Sequence, residues 1–367
     1  MVVRSVSLRD FRCYEQVKAE FGPGLTVITG PNGAGKTNLL EAVYFGCTAR
    51  SCRTTNEREV VRFGAGAARV VVVAEGTDGM HELAVGFVPG EPKRMRVDGA
   101  SVDRMLDVEQ RPLVSVFLPD RLELVKGPPA LRRAHLDQFV AALWPARVAT
   151  RRSYAQALAQ RNALIARIRS GVARRDSLAS WNAELARHGI ALMADRRTAI
   201  EALAESFVSL SAELGLDGRV TVSYCPRSRA SGADELAAEL AGRLDSDLDR
   251  GFTGHGPHRD DVTLARDGRD LRSYGSQGQQ RLALLAVLLA ERQAIAERRQ
   301  APPLMLLDDV MSELDGERRR ALANLLRAGG GQSVITTTDL DHVPGASDAG
   351  AAHLAVSAGR LLCGAAA

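Results

Sequence analysis

The chain has 367 residues, enough for two or three structural units, and its 45% hydrophobic and 25% charged residues are the profile of a soluble globular protein. Aromatics make up 4%, so a base-stacking surface would have few rings, and a formal charge of +4 does not by itself establish a nucleic-acid partner. Cys13, Cys47, Cys52, Cys225 and Cys363 are odd in number and lack CxxC spacing, which argues against a disulfide framework or zinc ribbon and for reduced thiols in a cytosolic protein.

The N-terminus is charged throughout and has no apolar segment of the signal-peptide kind. The longest strongly apolar run, Leu282 to Ala290, is far short of the ~20 residues that span a bilayer. A cytoplasmic protein without a membrane segment is expected.

Strand patterns open the chain at Val2–Leu8 and Leu25–Thr29, followed by a helix from Lys36 to Phe45. Further strands are expected at Arg69–Ala74, Leu83–Val88, Arg94–Val97 and Leu113–Phe117, with Gly and Pro between them. From Pro129 to Leu214 the spacing turns helical. A strand at Val220–Tyr224 and a helix at Ala233–Asp249 follow. The last third alternates again: strand Val262–Ala265, helix Gln279–Ala296, strand Leu304–Leu307, helix Asp315–Leu326, strand Ser333–Thr337.

This order predicts an α/β P-loop head, a mixed sheet flanked by helices, with an inserted helical arm. The expected division is 1–128 for the first part of the head, 129–250 for the arm and 251–367 for the remainder of the head. Charge follows the same division. Residues 121–200 hold fifteen Lys/Arg against five Asp/Glu, whereas 201–250 hold ten acids and five bases.

Three elements carry chemistry. Gly30-Pro31-Asn32-Gly33-Ala34-Gly35-Lys36-Thr37 fits GxxxxGK[ST] between a predicted strand and a predicted helix. Its glycines let consecutive N–H groups face phosphate oxygens, and the helix N-terminus adds positive potential. Lys36 is expected to reach the β- and γ-phosphates of ATP, and the Thr37 hydroxyl to ligate Mg²⁺; Asn38 continues the binding stretch. In Leu304-Met-Leu-Leu-Asp308-Asp309, a buried strand runs into two acids, and a cation is the usual answer to such charge. Asp308 is expected to hold Mg²⁺ and Asp309 to polarise the attacking water. The third element, Tyr274-Gly-Ser276-Gln277-Gly278-Gln279-Gln280-Arg281, places serine and glycine at a helix start, a second anion site. Alone it would read as a capped helix. With the other two it resembles the signature sequence of ATP-binding-cassette ATPases.

LRDFRCY, GPNGAGKTNLLEA, ARSCRT, LVKGPPALRRAHLD, GPHRDD, YGSQGQQR and LLDDVMSELD together span Leu8 to Asp315. Their order resembles the RecF family of recombination-repair proteins, short-armed relatives of the SMC-class heads. The resemblance implies an ATP-dependent homodimer, with each ATP held between the P-loop of one head and Ser276–Gly278 of the other, Asp315 at the seam, and slow hydrolysis acting as a switch. It implies binding to double-stranded DNA near single-strand gaps, partnership with RecR and RecO, indirect action on RecA loading, and roles in replication and SOS induction. Asp120-Arg121, Cys52 and Thr253-Gly-His255-Gly256 depart from the family's pattern. A Q-loop glutamine is not placed. The usual switch histidine is absent after Ser333–Thr337, where His342 is a weak candidate.

Among weaker features, His258-Arg259-Asp260-Asp261 reads as a structural loop rather than a metal or nuclease site, because neighbouring residues on a strand point to opposite faces. Arg132, Arg133, Arg151, Arg152, Arg174 and Arg175 are candidates for phosphate contact. A transporter nucleotide-binding subunit is disfavoured, since Lys36 and Ser276 lie 240 positions apart with a helical arm between them. A stand-alone kinase would not need a loop supplied in trans, and the arm is too short for the coiled coil of a long-armed nuclease-complex ATPase.

Overall fold

A computed structural model describes residues 1–118, 122–348 and 350–362; Asp120-Arg121 and Cys363 lie outside them. The chain forms two compact units, one from Met1–Arg121 with Ile295–Ala367, the other from Leu122–Ala294.

The first unit contains two six-stranded sheets. One is antiparallel, in the order Tyr14–Glu20, Val2–Phe11, Ala68–Gly76, Gly79–Phe87, Arg94–Val97, Ala100–Ser101. Side chains alternate across it: Val6, Leu8, Val70, Val72, Leu83 and Val85 face the core, while the residues between them face the other way, where Ser5 and Ala84 are also buried. The second has the order Arg360–Leu362, Ala352–Ser357, Leu25–Thr29, Ser333–Thr337, Leu304–Asp308, Val114–Phe117 and is parallel apart from its first strand. Leu304–Asp308 and Ser333–Thr337 are wholly buried, as parallel strands covered on both faces must be.

The helix Lys36–Thr48 packs against both sheets. A Cβ on its Gly46 would come within 2.3 Å of Val72 Cγ2, so glycine sets how closely helix and strand approach. Glu41 on the same helix is buried with a bidentate partner, Arg12 (2.9 and 2.8 Å). Buried Gln332 joins the sheets: its Oε1 accepts from Val3 N (2.8 Å), and its Nε2 donates to Val3 O and Gly22 O (both 2.7 Å).

The second unit is mainly helical, with Pro129–Leu143, Val148–Arg169, Leu178–Glu213, Ala233–Gly242, Leu244–Arg250 and most of Gln277–Arg299. The 36-residue helix Leu178–Glu213 is about 54 Å long at 1.5 Å per residue and packs against Val148–Arg169. The strand Asp261–Arg266 pairs with Val220–Cys225 in a three-stranded antiparallel sheet of this unit. Residues 251–294 thus gather with the helices in the second unit. The helix expected over Ala233–Asp249 breaks at Arg243.

Two buried arginines of this unit are matched in detail. Arg161, fully buried, donates to Asp247 (2.7 Å), Asn182 (2.8 Å) and Thr253 (2.7 Å). Arg196 makes a bidentate contact with Asp137 (2.8 and 3.1 Å) and donates to Pro257 O (2.8 Å). Among the described residues no helix is long and apolar enough to cross a membrane, and Cys13, Cys47, Cys52 and Cys225 are free thiols.

Candidate nucleotide site

The P-loop turns between the strand Leu25–Thr29 and the helix Lys36–Thr48. Gly35 has φ +114°, and a Cβ there would lie 2.8 Å from Cys13 Sγ and 2.9 Å from the Tyr14 hydroxyl. A side chain is excluded both by backbone conformation and by the hairpin packed beneath. The Tyr14 hydroxyl donates to Gly35 O (2.9 Å), and burial pushes its pKa up. Gly30 is fixed from the other side, where a Cβ would meet Val356 O at 2.2 Å. Gly359 N donates to Ala34 O (2.9 Å). The strand pair Ala352–Ser357 and Arg360–Leu362 thus backs the loop, a contribution that its sequence, without a motif, did not signal.

Lys36 Nζ donates to Gly30 O (2.7 Å) and Pro31 O (3.1 Å), folding the loop over its ammonium. Burial lowers its pKa, while the charges of Asp309 and Asp308 oppose that shift. Thr37 Oγ1 lies 2.9 Å from both Asp308 carboxylate oxygens although the residues are 271 positions apart. The parallel pairing of Leu304–Asp308 and Leu25–Thr29 with the shared neighbour Ser333–Thr337 produces this meeting. Thr336 Oγ1 donates to Asp308 Oδ1 (2.6 Å). Burial raises the Asp308 pKa, with the two threonine hydroxyls acting against it. Asp309 turns out of the strand at φ +48°, and its Oδ1 is buried without a hydrogen-bond partner among the described residues.

Those observations test whether a divalent cation fits. A hydroxyl, a buried carboxylate carrying an unfavourable charge and an orphaned carboxylate oxygen form an oxygen-donor set suited to Mg²⁺. Thr336, the threonine that orients Asp308, lies in the stretch where a switch histidine is absent. His342 occupies a short turn, Leu340–His342. The imidazole beside the P-loop strand belongs to His353, whose Nε2 is 2.6 Å from Thr29 Oγ1. Asn38 bridges Cys13 Sγ (3.1 Å) and Arg53 Nη1 (2.9 Å).

In the second unit Ser276 begins the helix Gln277–Arg299 as a reciprocal cap. Its Oγ accepts from Gln279 N (3.3 Å), and its N donates to Gln279 Oε1 (2.9 Å). Buried Gln280 donates to Leu271 O (2.7 Å) and Gly275 O (3.1 Å), fixing the approach to the loop. Ser276, Gln277 and Gly278 are exposed. Asp315 caps the helix Gly316–Ala328, accepting from Arg318 N (2.9 Å).

The His258–Asp261 stretch is a structural knot. Asp260 accepts from the Tyr224 hydroxyl and from Arg227 N (2.6 Å), whereas Asp261 holds Arg132 (2.7 and 2.9 Å), so the two acids diverge. No cluster of three metal-ligating side chains occurs among the described residues. His258 Nε2 faces Thr253 O (2.9 Å) and must donate to it, which leaves Nδ1 to accept from Tyr154 (2.7 Å). Burial holds this neutral ring at a pKa of about 4. Several arm arginines considered for phosphate contact have internal partners: Arg132 is buried on Asp261, Arg133 donates to Asp260 O (2.6 Å), Arg151 pairs with Asp137 and Arg175 with Asp245.

This fold and site define a P-loop ATPase head of the class that includes SMC heads. A family model described as an AAA domain matches residues 5–80. The DNA replication and repair protein RecF of Anaeromyxobacter sp. strain Fw109-5 is 40% identical over 351 residues, covering 92% of this chain and 93% of that protein. The RecF of Roseiflexus castenholzii is 36% identical over 377 residues, covering 93% and 94%. A solved structure of the recombination mediator protein RecF with ATP, in the RecFOR pathway, superposes with a TM-score of 0.87 at 27% identity, covering 98% of this chain and 97% of that one. An Smc head of Pyrococcus furiosus, 18% identical with a TM-score of 0.58 and covering 97% and 93%, shares the fold. The chain belongs to the RecF family of DNA replication and repair proteins.

Proposed function

We propose that the protein is an ATP-operated DNA-binding switch of recombinational repair and replication restart. Two copies close on ATP, each nucleotide held by the P-loop of one and by Ser276–Gly278 of the other, and the dimer binds duplex DNA near single-strand gaps. With RecR and RecO it promotes RecA loading and SOS induction, and slow hydrolysis resets it. The observation that supports this most directly is the meeting of Thr37 with Asp308 at 2.9 Å beside Lys36. Residues Gly30 to Asn38 would surround the phosphates. Thr37 and Asp308 would hold Mg²⁺, which supplies charge compensation for them. Lys36 would release the Gly30 and Pro31 carbonyls to reach phosphate oxygens, and Asp309, with one carboxylate oxygen unengaged, would accept a proton from water. The exposed, pre-capped Ser276 supports a phosphate contact made in trans.

Sedimentation and DNA-binding anisotropy with ATP, ADP and no nucleotide test this reading. ATP is expected to yield dimers with tighter DNA binding, Lys36→Met to abolish both effects, and Ser276→Arg to block dimerisation while ATP affinity changes less than about threefold (about 0.7 kcal/mol). Equal DNA affinity in all three nucleotide states would sink the switch.

A further inference from the structure

The antiparallel sheet of the first unit has one face packed on the core and one face free. Its register aligns the free face in rows across the strands. One row runs Gln16, Arg9, Arg69, Gly86, Arg94, and the next runs Lys18, Ser7, Val71, Ala84, Arg96, Ser101. These two rows hold five bases and no acid. Acids of the sheet enter with the third row, Glu20 and Glu82 around Ser5 and Val73, where Glu20 pairs with Lys18 (2.9 Å), while Glu91 beyond the strands pairs with Arg94 (3.5 Å); Arg9, Arg69 and Arg96 are the bases left unpaired among the described residues. Lys18, Arg9, Arg69, Arg94 and Arg96 are all exposed.

Three features show that this is more than a solvated surface. The Arg9, Arg69 and Arg96 side chains have no hydrogen bond or ion pair among the described residues, whereas Arg132, Arg133, Arg151 and Arg175 of the helical unit are engaged internally. Arg9 and Arg69 are direct cross-strand partners, and like charges placed so are destabilising. The residues between the charges are small or of low relief, Ser7, Val71, Ala84 and Gly86, so a long rigid ligand could lie flush against the guanidinium groups.

The geometry points to the free face of this sheet as the surface that receives the phosphate backbone of duplex DNA. Four strand spacings separate Lys18 from Arg96, about 19 Å, and at 3.4 Å per base pair that matches five to six steps of one DNA strand. The contacts are made to phosphate and carry no base specificity, since bidentate reading of base edges needs an element inserted in a groove. This assignment rests on the DNA-binding reading above, and it places the contact on the head sheet instead of the arm arginines.

The test uses the full-length protein and an unlabelled-sequence duplex, with affinity measured across a salt series. Arg9→Ser/Arg69→Ser/Arg96→Ser is expected to reduce the slope of log K against log salt by about 2–3, at roughly 0.9 per phosphate contact, and to weaken binding about 10²-fold near ~0.15 M salt. The triple Lys variant at these positions is expected to retain the wild-type slope, and Arg174→Ser/Arg175→Ser to leave it nearly unchanged. ATP affinity should be the same in all of them, which separates a lost surface from a lost fold. An unchanged slope in the triple Ser variant, with wild type binding normally, overturns the surface but not the switch. Wild-type protein that binds no duplex overturns both. A triple Ser variant that binds DNA normally but loses an acidic protein partner also refutes the assignment.

Discussion

Replacing Asp308 by Asn separates a cation-binding carboxylate from one that merely organises the loop. This carboxylate is buried, accepts from Thr37 at 2.9 Å to each oxygen, and accepts from Thr336 at 2.6 Å. Burial still raises its pKa, so the charge costs the fold stability unless a cation answers it. Asn retains one acceptor oxygen, and both threonine hydroxyls can rotate. The variant would lose part of one or two hydrogen bonds, each worth about 0.5–1.5 kcal/mol, and would be relieved of a desolvated charge. Without ligand its stability should remain within about 1 kcal/mol of wild type. Mg²⁺-ATP at a hundred times its Kd should stabilise wild type by about 2.7 kcal/mol, a rise of about 5–10 °C at 2–4 °C per kcal/mol. Most of that rise should vanish in the variant at the same ligand concentration. Thermal unfolding with Mg²⁺-ATP, ATP with chelator, and no ligand measures both quantities. A variant that keeps the full ligand shift, or that loses more than about 3 kcal/mol without ligand, would refute the cation-site reasoning.

Arg161→Met should destabilise the helical unit by about 3–5 kcal/mol, because it leaves buried Asp247 without its cation. Adding Asp247→Leu should recover much of that loss in urea unfolding, and a single-variant cost below about 1 kcal/mol would contradict the assignment. His258 gives the same unit an acid limit. Its folded pKa, about 4, lies below the ordinary 6.5. The neutral ring therefore contributes fully above pH 6.5, and the contribution is lost progressively as pH falls towards 4. The loss should approach about 3 kcal/mol at 1.36 kcal/mol per pKa unit. Urea midpoints from pH 7 to pH 4 should show this slope, and His258→Gln should flatten it.

The local motifs could be read directly because each depends on residues close in sequence. Gly30–Thr37 needs only a strand, a glycine turn and a helix start, and the apolar run Leu304–Leu307 ending in two acids shows both its burial and its charge. Strands 25–29, 94–97 and 333–337 could likewise be bounded from alternation or apolar runs between breakers. The pairing of Asp261–Arg266 with Val220–Cys225 could not, because alternation defines a strand but not its neighbour. The supporting groups around the P-loop were equally silent. Tyr14, Thr336, Val356 and Gly359 come from separate parts of the chain, and none is distinctive in its own neighbourhood.

By itself the sequence determined that a phosphate-binding loop exists, which acids accompany it, and that a helical segment interrupts the α/β pattern; these follow from local backbone preference and hydrophobic period. Tertiary structure alone decided which basic residues are free. Charge counting placed the excess in the arm, yet buried arginines such as Arg161 and Arg196 are consumed by internal carboxylates. On the head sheet, Arg9, Arg69 and Arg96 are distant in sequence and become one surface only through strand register. Pairing and burial are non-local, and they determine whether a charge faces a partner within the fold or one from outside it.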